Sequence, residues 1–408
     1  AAARPEEREE LAFFDGQVDR RQRRLTAKRF LDTPNLQHER DLTNNGVEMS
    51  RYAVLMCSVF VALTGCTKKD EAATPAADPQ AAAKVAGPQE VNLAIWGNYL
   101  PEETQERFTK ETGIKLKISN YASNEELLAK VQAGASGYDV AVPSDYMVGV
   151  LSKLDLLQGL DSGKIPNRGD VDPAFLKQGF DPENKFSLPY AWSTAGLAVN
   201  KDLYKGDLKT WKDLFTKKDL IGKISLLDDV REVTAAALKV NGYSVNTTNP
   251  EELKKAEATL KAARSHVKMF RSDMIDALLN KEVAVAHVYS VDALQAAAKS
   301  GGKIVYVIPE EGGTRAIDNM VILKSAKNVE SAHKLINFLL SHDANLKFVS
   351  TIKGGPVLKS TKDSLSEELK SNTALFPPPT VLSKLEAIQD VGEATRLYDR
   401  LWTEVKSE

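Results

Sequence analysis

Carboxylates and aromatic rings, not histidines or cysteines, are the chemically capable residues of this chain. In SLLDDVREV, Asp228, Asp229 and Glu232 crowd the point where an apolar strand gives way to a helix. A helix start needs one capping acid. Asp229 and Glu232 have the D-x-x-E spacing of a capping box. Spacing alone therefore leaves two readings open, a cap or a pair of ligand-facing acids, with Asp228 the better candidate for a purely structural role. Asp318, in GTRAIDNMVIL, is a further acid before an apolar run, where it caps a turn, pairs with Arg315 or meets a ligand. Trp96 and Tyr99 follow VNLAIW, Ser144, Asp145 and Tyr146 follow YDVAVPS, and Tyr289 ends EVAVAHVYS. The plain alternatives are packing for the aromatics and a turn role for Ser144 beside Pro143.

Together these types suit a flexible organic cation. Carboxylates hold ammonium groups by charge-assisted hydrogen bonds. Aromatic faces take ammonium and methylene groups, at roughly 0.5–2 kcal/mol each. Other chemistries find little support. The two cysteines, Cys57 and Cys66, precede the body, and the five histidines lack metal-site spacing, so all five read as surface or satisfied core. SGGK and EEGG are loop glycines, not a phosphate loop. A net charge of -2, from 54 basic and 56 acidic residues, gives no bulk attraction for nucleic acid. An enzyme using Asp229 and Glu232 as acid and base is disfavoured, because carboxylates one turn apart share a helix face and cannot flank a bond.

Positioning such residues takes alternating strands and helices. VNLAIW (91–96), KLKISNY (115–121) and YDVAVPS (138–144) read as strands. Between them lie a helix opened by Pro101 and stopped by Gly113, and another with Ser123 as N-cap and Glu126 at the capping-box position. This is a βαβαβ unit with a parallel sheet. GKISLLDD, EVAVAHVYS (282–290) and KIVYVIP (303–309) read as later strands, with helices VREVTAAALKVNG and PEELKKAEATLKAAR. SLPYAWSTAGLAVN (187–200) reads as a connection between halves, and AHKLINFLLSHDANLKFVST as one amphipathic helix. The class is α/β with two lobes, and ligands of open α/β sheets bind beyond the carboxyl ends of the strands.

The N-terminal segment divides differently. Residues 1–48 are charged and aperiodic, and read as disordered or upstream of the native start at Met49. Arg51 followed by the apolar run from Ala53 to Leu63 fits a signal peptide and is too short to span a bilayer. LTGC places Cys66 as a lipidation site, making 49–66 a lipoprotein signal peptide and 67–89 an Ala- and Pro-rich flexible tether.

WGNYLPEETQERFTKETGIKLKISNYASNEELLAKV, YDVAVPSDYMV, LLDDVREV, NGYSVNTTNPEEL, KLINFLLSHDAN and DVGEATRLYDRL run through residues 90–408. On these motifs the chain resembles the spermidine/putrescine-binding proteins of bacterial polyamine ABC transporters. The resemblance implies a two-lobed type II periplasmic-binding-protein fold with a central ligand cleft. Its lobes would be 90–195 plus 317–375 and 196–316 plus 376–408. It implies ligand contacts from Trp96, Tyr99, Ser144, Tyr146, Asp229, Glu232, Ser272, Tyr289 and Asp318, with a cleft glutamine at Gln389 or, in the other register, Ile388 in its place. Departures are Tyr289 and Ala316 where the family has Trp, and glycine (Gly354 or Gly355) where it has a cleft aromatic. The expected protein is a periplasmic, lipid-anchored monomer without cofactor or metal. It would deliver a polyamine to an inner-membrane ABC permease with its cytoplasmic ATPase. The alternatives are another organic cation on the same fold, or a polyamine sensor.

Overall fold

The computed structural model describes residues 89–134 and 137–407. The segment read as a signal peptide with Cys66, the residues before it, and the expected tether up to residue 88 lie outside the described residues.

The first unit follows from capped helices between alternating strands. Strand β1 (Glu90–Trp96) leads to helix α1 (Glu102–Thr112), which ends at Gly113 in the left-handed conformation, φ 69°. Strand β2 (Lys115–Tyr121) leads to α2 (Asn124–Gln132). The Ser123 hydroxyl accepts from Glu126 N, while the Glu126 carboxylate accepts from Ala122 N, one residue outside the expected box. Strand β3 (Val140–Ala141) is shorter than the expected 138–144, because Pro143 and the helix α3 (Asp145–Lys153) end it early. Both β2 and β3 pair with β1 in parallel.

Strand β4 (Leu157–Gln158) precedes β5 (Ser187–Asn200), the segment read as a connection. It is both connection and strand. The second unit comprises α4 (Trp211–Thr216), β6 (Ile224–Leu226), α5 (Val230–Val240), α6 (Pro250–Ala262), β7 (Val267–Phe270), α7 (Ile275–Leu279), β8 (Val285–Tyr289), α8 (Ser290–Lys299) and β9 (Ile304–Val307). Strand β7, only four residues with one buried, has no sequence pattern to announce it. Strand β10 (Gly313–Leu323) begins five residues before Asp318 and so places that acid inside the strand, not before it. The expected single late helix is two, α9 (Val329–Leu339) and α10 (His342–Ile352), because the Ser341 hydroxyl accepts from Ala344 N and starts a new one. After short helical turns come β11 (Leu385–Ala387) and α11 (Thr395–Ser407).

The sheet order is β2-β1-β3-β10-β5-β8-β6-β7. An antiparallel ribbon of β10 and β5 lies at its centre, flanked by two parallel triples. β5 pairs with β10 as far as Thr194, then with β8 from Ala195 onward. The register slips between Asp318 and Asn319, leaving Tyr190 without a partner next to Pro189, which has no N–H to give the ladder.

The buried side chains fall into groups on either side of the ribbon. One holds Leu93, Phe108, Ile322, Ile336 and Phe348, another Leu197, Trp211, Leu226, Val233, Leu260 and Tyr398. Among the histidines, His287 is fully buried against the Trp211 ring (centroids 4.7 Å apart), and neither of its nitrogens has a hydrogen-bond partner. It is core but not a satisfied one. Burial pushes its pKa down to about 3, so the ring is neutral.

Candidate functional site

The carboxyl ends of the parallel strands converge on one cavity of about 490 Å³. Trp96 ends β1, Tyr121 ends β2, Ser144 follows β3, Asp229 follows β6, Ser272 follows β7 and Tyr289 ends β8. Nine of the ten residues expected as ligand contacts line it. The exception is Gln389, whose side chain is exposed, while its backbone carbonyl accepts from Arg231 Nη1 at 2.9 Å. Ile388 lines the cavity in its place, the other register considered.

The aromatic wall is held by one carbonyl. Trp96 Nε1 donates to Val142 O at 2.9 Å, and the Tyr121 hydroxyl donates to the same oxygen. The Trp96 and Tyr121 rings lie 4.7 Å apart, and Tyr289 stands 6.2 Å from Trp96. The three rings line the cavity together, a surface of the type that takes ammonium and methylene groups.

Asp318 forms the first acidic station. Its Oδ2 accepts from the Tyr99 hydroxyl at 2.7 Å and its Oδ1 from the Ser144 hydroxyl at 2.8 Å. Burial still pushes its pKa up to about 6, against these stabilising bonds. The ring of Tyr99 itself packs edge-on to Tyr190 and Phe348, so it serves core and cavity at once.

The second station is the pair that spacing left undecided. Asp229 is the N-cap of α5, with Oδ1 accepting from Arg231 N at 2.9 Å and Glu232 N at 3.1 Å. Its Oδ2 accepts from the Tyr289 hydroxyl at 3.2 Å. One carboxylate therefore caps with one oxygen and faces the cavity with the other. Glu232 does not close a capping box; its Oε2 accepts from Thr314 Oγ1 at 2.6 Å. Burial, then the charge of Asp229, pushes Glu232 up to about 8, and burial raises Asp229. Asp228 is not the cap. It is exposed and pairs with Lys406 at 2.7 Å.

Sequence reasoning placed Asp145 at a strand end without counting it a ligand contact, and it missed Asp292, Glu125 and Tyr121. Asp145 is 4% exposed, lines the cavity, and is raised by burial to about 7. Asp292, in the first turn of α8, lines it too and is raised by burial to about 7. Glu125 accepts from the Tyr146 hydroxyl at 2.9 Å, leaving Oε2 buried without a partner, and burial followed by the Asp229 charge raises it to about 7. Tyr121 satisfies the same strand-end rule that selected Trp96, so that signal was present in the sequence. Ser272 Oγ is also buried without a partner. Among the described residues, none of Asp145, Asp229, Glu232, Asp292 and Asp318 forms an ion pair with a Lys or Arg; Arg231 lies nearby but is committed to Gln389 O, Asn246 and the Tyr398 and Tyr146 rings.

Comparison with known proteins agrees with this geometry. The family model described as bacterial extracellular solute-binding protein matches residues 103–377. The chain belongs to that family. The spermidine/putrescine-binding periplasmic protein 1 of Haemophilus influenzae is 35% identical, over 88% of this chain and 99% of its own. The putrescine/cadaverine-binding protein of Pseudomonas aeruginosa is 34% identical, over 80% and 96%. A solved structure titled a putative spermidine/putrescine ABC transporter from Listeria monocytogenes superposes with TM-score 0.74 at 34% identity, covering 78% of this chain and 99% of that one. As a solute-binding protein of this group, the chain has the two-lobed type II periplasmic-binding-protein fold, with the cavity in its central cleft.

The family's departures can be located. A Cβ on Gly355 would overlap the indole of Trp192, and one on Gly354 the ring of Phe348, so those aromatics occupy the space a side chain there would need. Ala316 lines the cavity and leaves room beside Asp318.

Proposed function

We propose that this protein captures a linear polyamine of the putrescine or spermidine class outside the cytoplasm and hands it to an ABC importer. The observation that carries the reading is the cavity's charge: buried carboxylates without ion-pair partners, beside an aromatic cage. Burying uncompensated charge is costly, and a protonated polyamine supplies the missing charge along with methylenes for the rings. The names of the related binding proteins support the same cargo. The ligand contacts are Trp96, Tyr99, Ser144, Tyr146, Asp229, Glu232, Ser272, Tyr289 and Asp318. Lobe boundaries near 195 and 316 are supported by the change of partners along β5 and β10.

A thermal-shift screen against putrescine, cadaverine, spermidine and spermine tests the reading. A ligand that binds the native state alone must raise Tm. No shift with any of the four sinks it.

Cys66 anchors the protein by lipidation, leaving a monomeric body on its tether, a reading supported by the LTGC motif after an apolar run. Intact-mass measurement of the membrane fraction, with Cys66→Ser as control, tests the anchor. Light scattering of the soluble body tests the monomer.

A further inference from the structure

The geometry points to Asp145 as the station for an internal ammonium group, so that the cavity selects a triamine over a diamine. This rests on the polyamine reading above.

Strand β10 supplies the scale. Its period of two puts Thr314, Ala316 and Asp318 on one face. Thr314 holds Glu232, and Asp318 is itself the other acid. Four residues of strand, at ~3.3 Å each, separate these positions by about 13 Å. Asp145 stands between: its Oδ2 faces Ile317 N at 3.4 Å, and it lies within electrostatic reach of both Asp318 and Glu232. An extended chain advances roughly 1.2 Å per bond, as three bonds per residue give a peptide 3.3–3.6 Å. Putrescine, with five bonds between its nitrogens, reaches about 6 Å on that basis, and spermidine, with nine, about 11 Å. With a hydrogen bond of about 3 Å added at each end, putrescine spans roughly 12 Å and extended spermidine roughly 17 Å, so both reach from Asp318 to Glu232, spermidine with its chain bent, and only the triamine carries a nitrogen in between. Its middle nitrogen then falls along the stretch that Asp145 lines. A methylene at that point would leave a buried carboxylate facing apolar carbon, which is the mismatch that gives polar sites their discrimination.

Asp145 also begins α3, and its Oδ1 accepts from Tyr146 N at 2.9 Å. A role confined to the helix start would affect all ligands alike. The test uses a ligand pair of equal length: spermidine, and octamethylenediamine, which has carbon in place of the central nitrogen. Calorimetric titration of the wild type and of Asp145→Asn with both gives a four-way comparison. We expect the wild type to bind spermidine at least about tenfold more tightly than octamethylenediamine, and the variant to lose most of that ratio, whatever change in affinity the two ligands share. Equal affinity of the wild type for the two, or an unchanged ratio in the variant, overturns the proposal. If Asp145→Asn does not fold, Asp145→Ser is read the same way, and the wild-type ratio alone still decides against the proposal when it is near one. Absence of any polyamine binding to the wild type is the separate failure of the functional reading.

Discussion

Asp229 shows how one side chain can answer two demands. The capping oxygen is committed to α5, while the other meets the Tyr289 hydroxyl at the cavity wall. Removing the carboxylate should cost both helix stability, about 1 kcal/mol for a lost cap, and ligand affinity. Glu232 and Asp318 separate these effects better. We expect Asp318→Asn and Glu232→Gln each to weaken polyamine binding roughly 30-fold or more in calorimetric titration, the loss typical of a buried charge pair deprived of one partner. Asp228→Asn should stay within about threefold, since its pair with Lys406 is exposed. Wild-type affinity in both cavity variants would refute the residue assignments.

At the scale of elements, Gly312 is a sharp constraint. Its φ of 88° is left-handed, and a Cβ there would collide with the backbone carbonyl of Lys384, in the segment entering β11. Gly312 O also receives Trp211 Nε1 at 2.8 Å. Gly312→Ala should lower unfolding free energy by about 2–3 kcal/mol in urea titration; a loss below half a unit would mean the loop yields freely. Most elements were legible in the sequence because capping residues, glycine stops and strand alternation are local signals. Ser123, Gly113 and the run of β1 are cases where local and global preference agree. The remainder had no local signal. β7 exists because β6 offers it a free edge, and α9 and α10 share one apolar pattern across a break that only Ser341 marks. In the site, strand-end position identified Trp96, Asp229 and Tyr289, and would have identified Tyr121. The same rule put Asp145 at a strand end, but only β10 folded against it sets it apart from an ordinary helix-start acid, and the register that put Gln389 in the cleft depended on a loop that periodicity does not fix.

For the whole molecule, the cavity's charge predicts a pH dependence of unusual sign. The groups facing one another are Asp145, Asp229, Glu232, Asp318, Glu125 and the nearby Asp292, with Arg231 and Arg315 as the cations in reach. These carboxyls are raised above their unfolded values, to about 6 for Asp318, about 7 for Asp145, Asp292 and Glu125, and about 8 for Glu232. The ligand-free native state therefore binds more protons than the unfolded chain from roughly pH 4 to 8, and its stability falls as pH rises across that window. Saturating spermidine should flatten the fall, because ammonium groups replace the protons. Tm measured from pH 5 to 8, with and without ligand, checks this; parallel slopes would contradict it. Binding should also release protons near pH 6, seen as a dependence of calorimetric heat on the buffer.

The β5–β10 ribbon is the stiff spine shared by both halves, and its register slips at Asp318. On the proposed reading, the acid that would grip the cargo thus sits at the fulcrum of the molecule and not at the tips of its jaws. A hold exerted there acts through a short arm, and the rims that a transporter would feel move on a long one. A sub-ångström adjustment around one carboxylate can be broadcast as a change in the outline of the whole protein, which small-angle scattering would register as a smaller radius of gyration on binding.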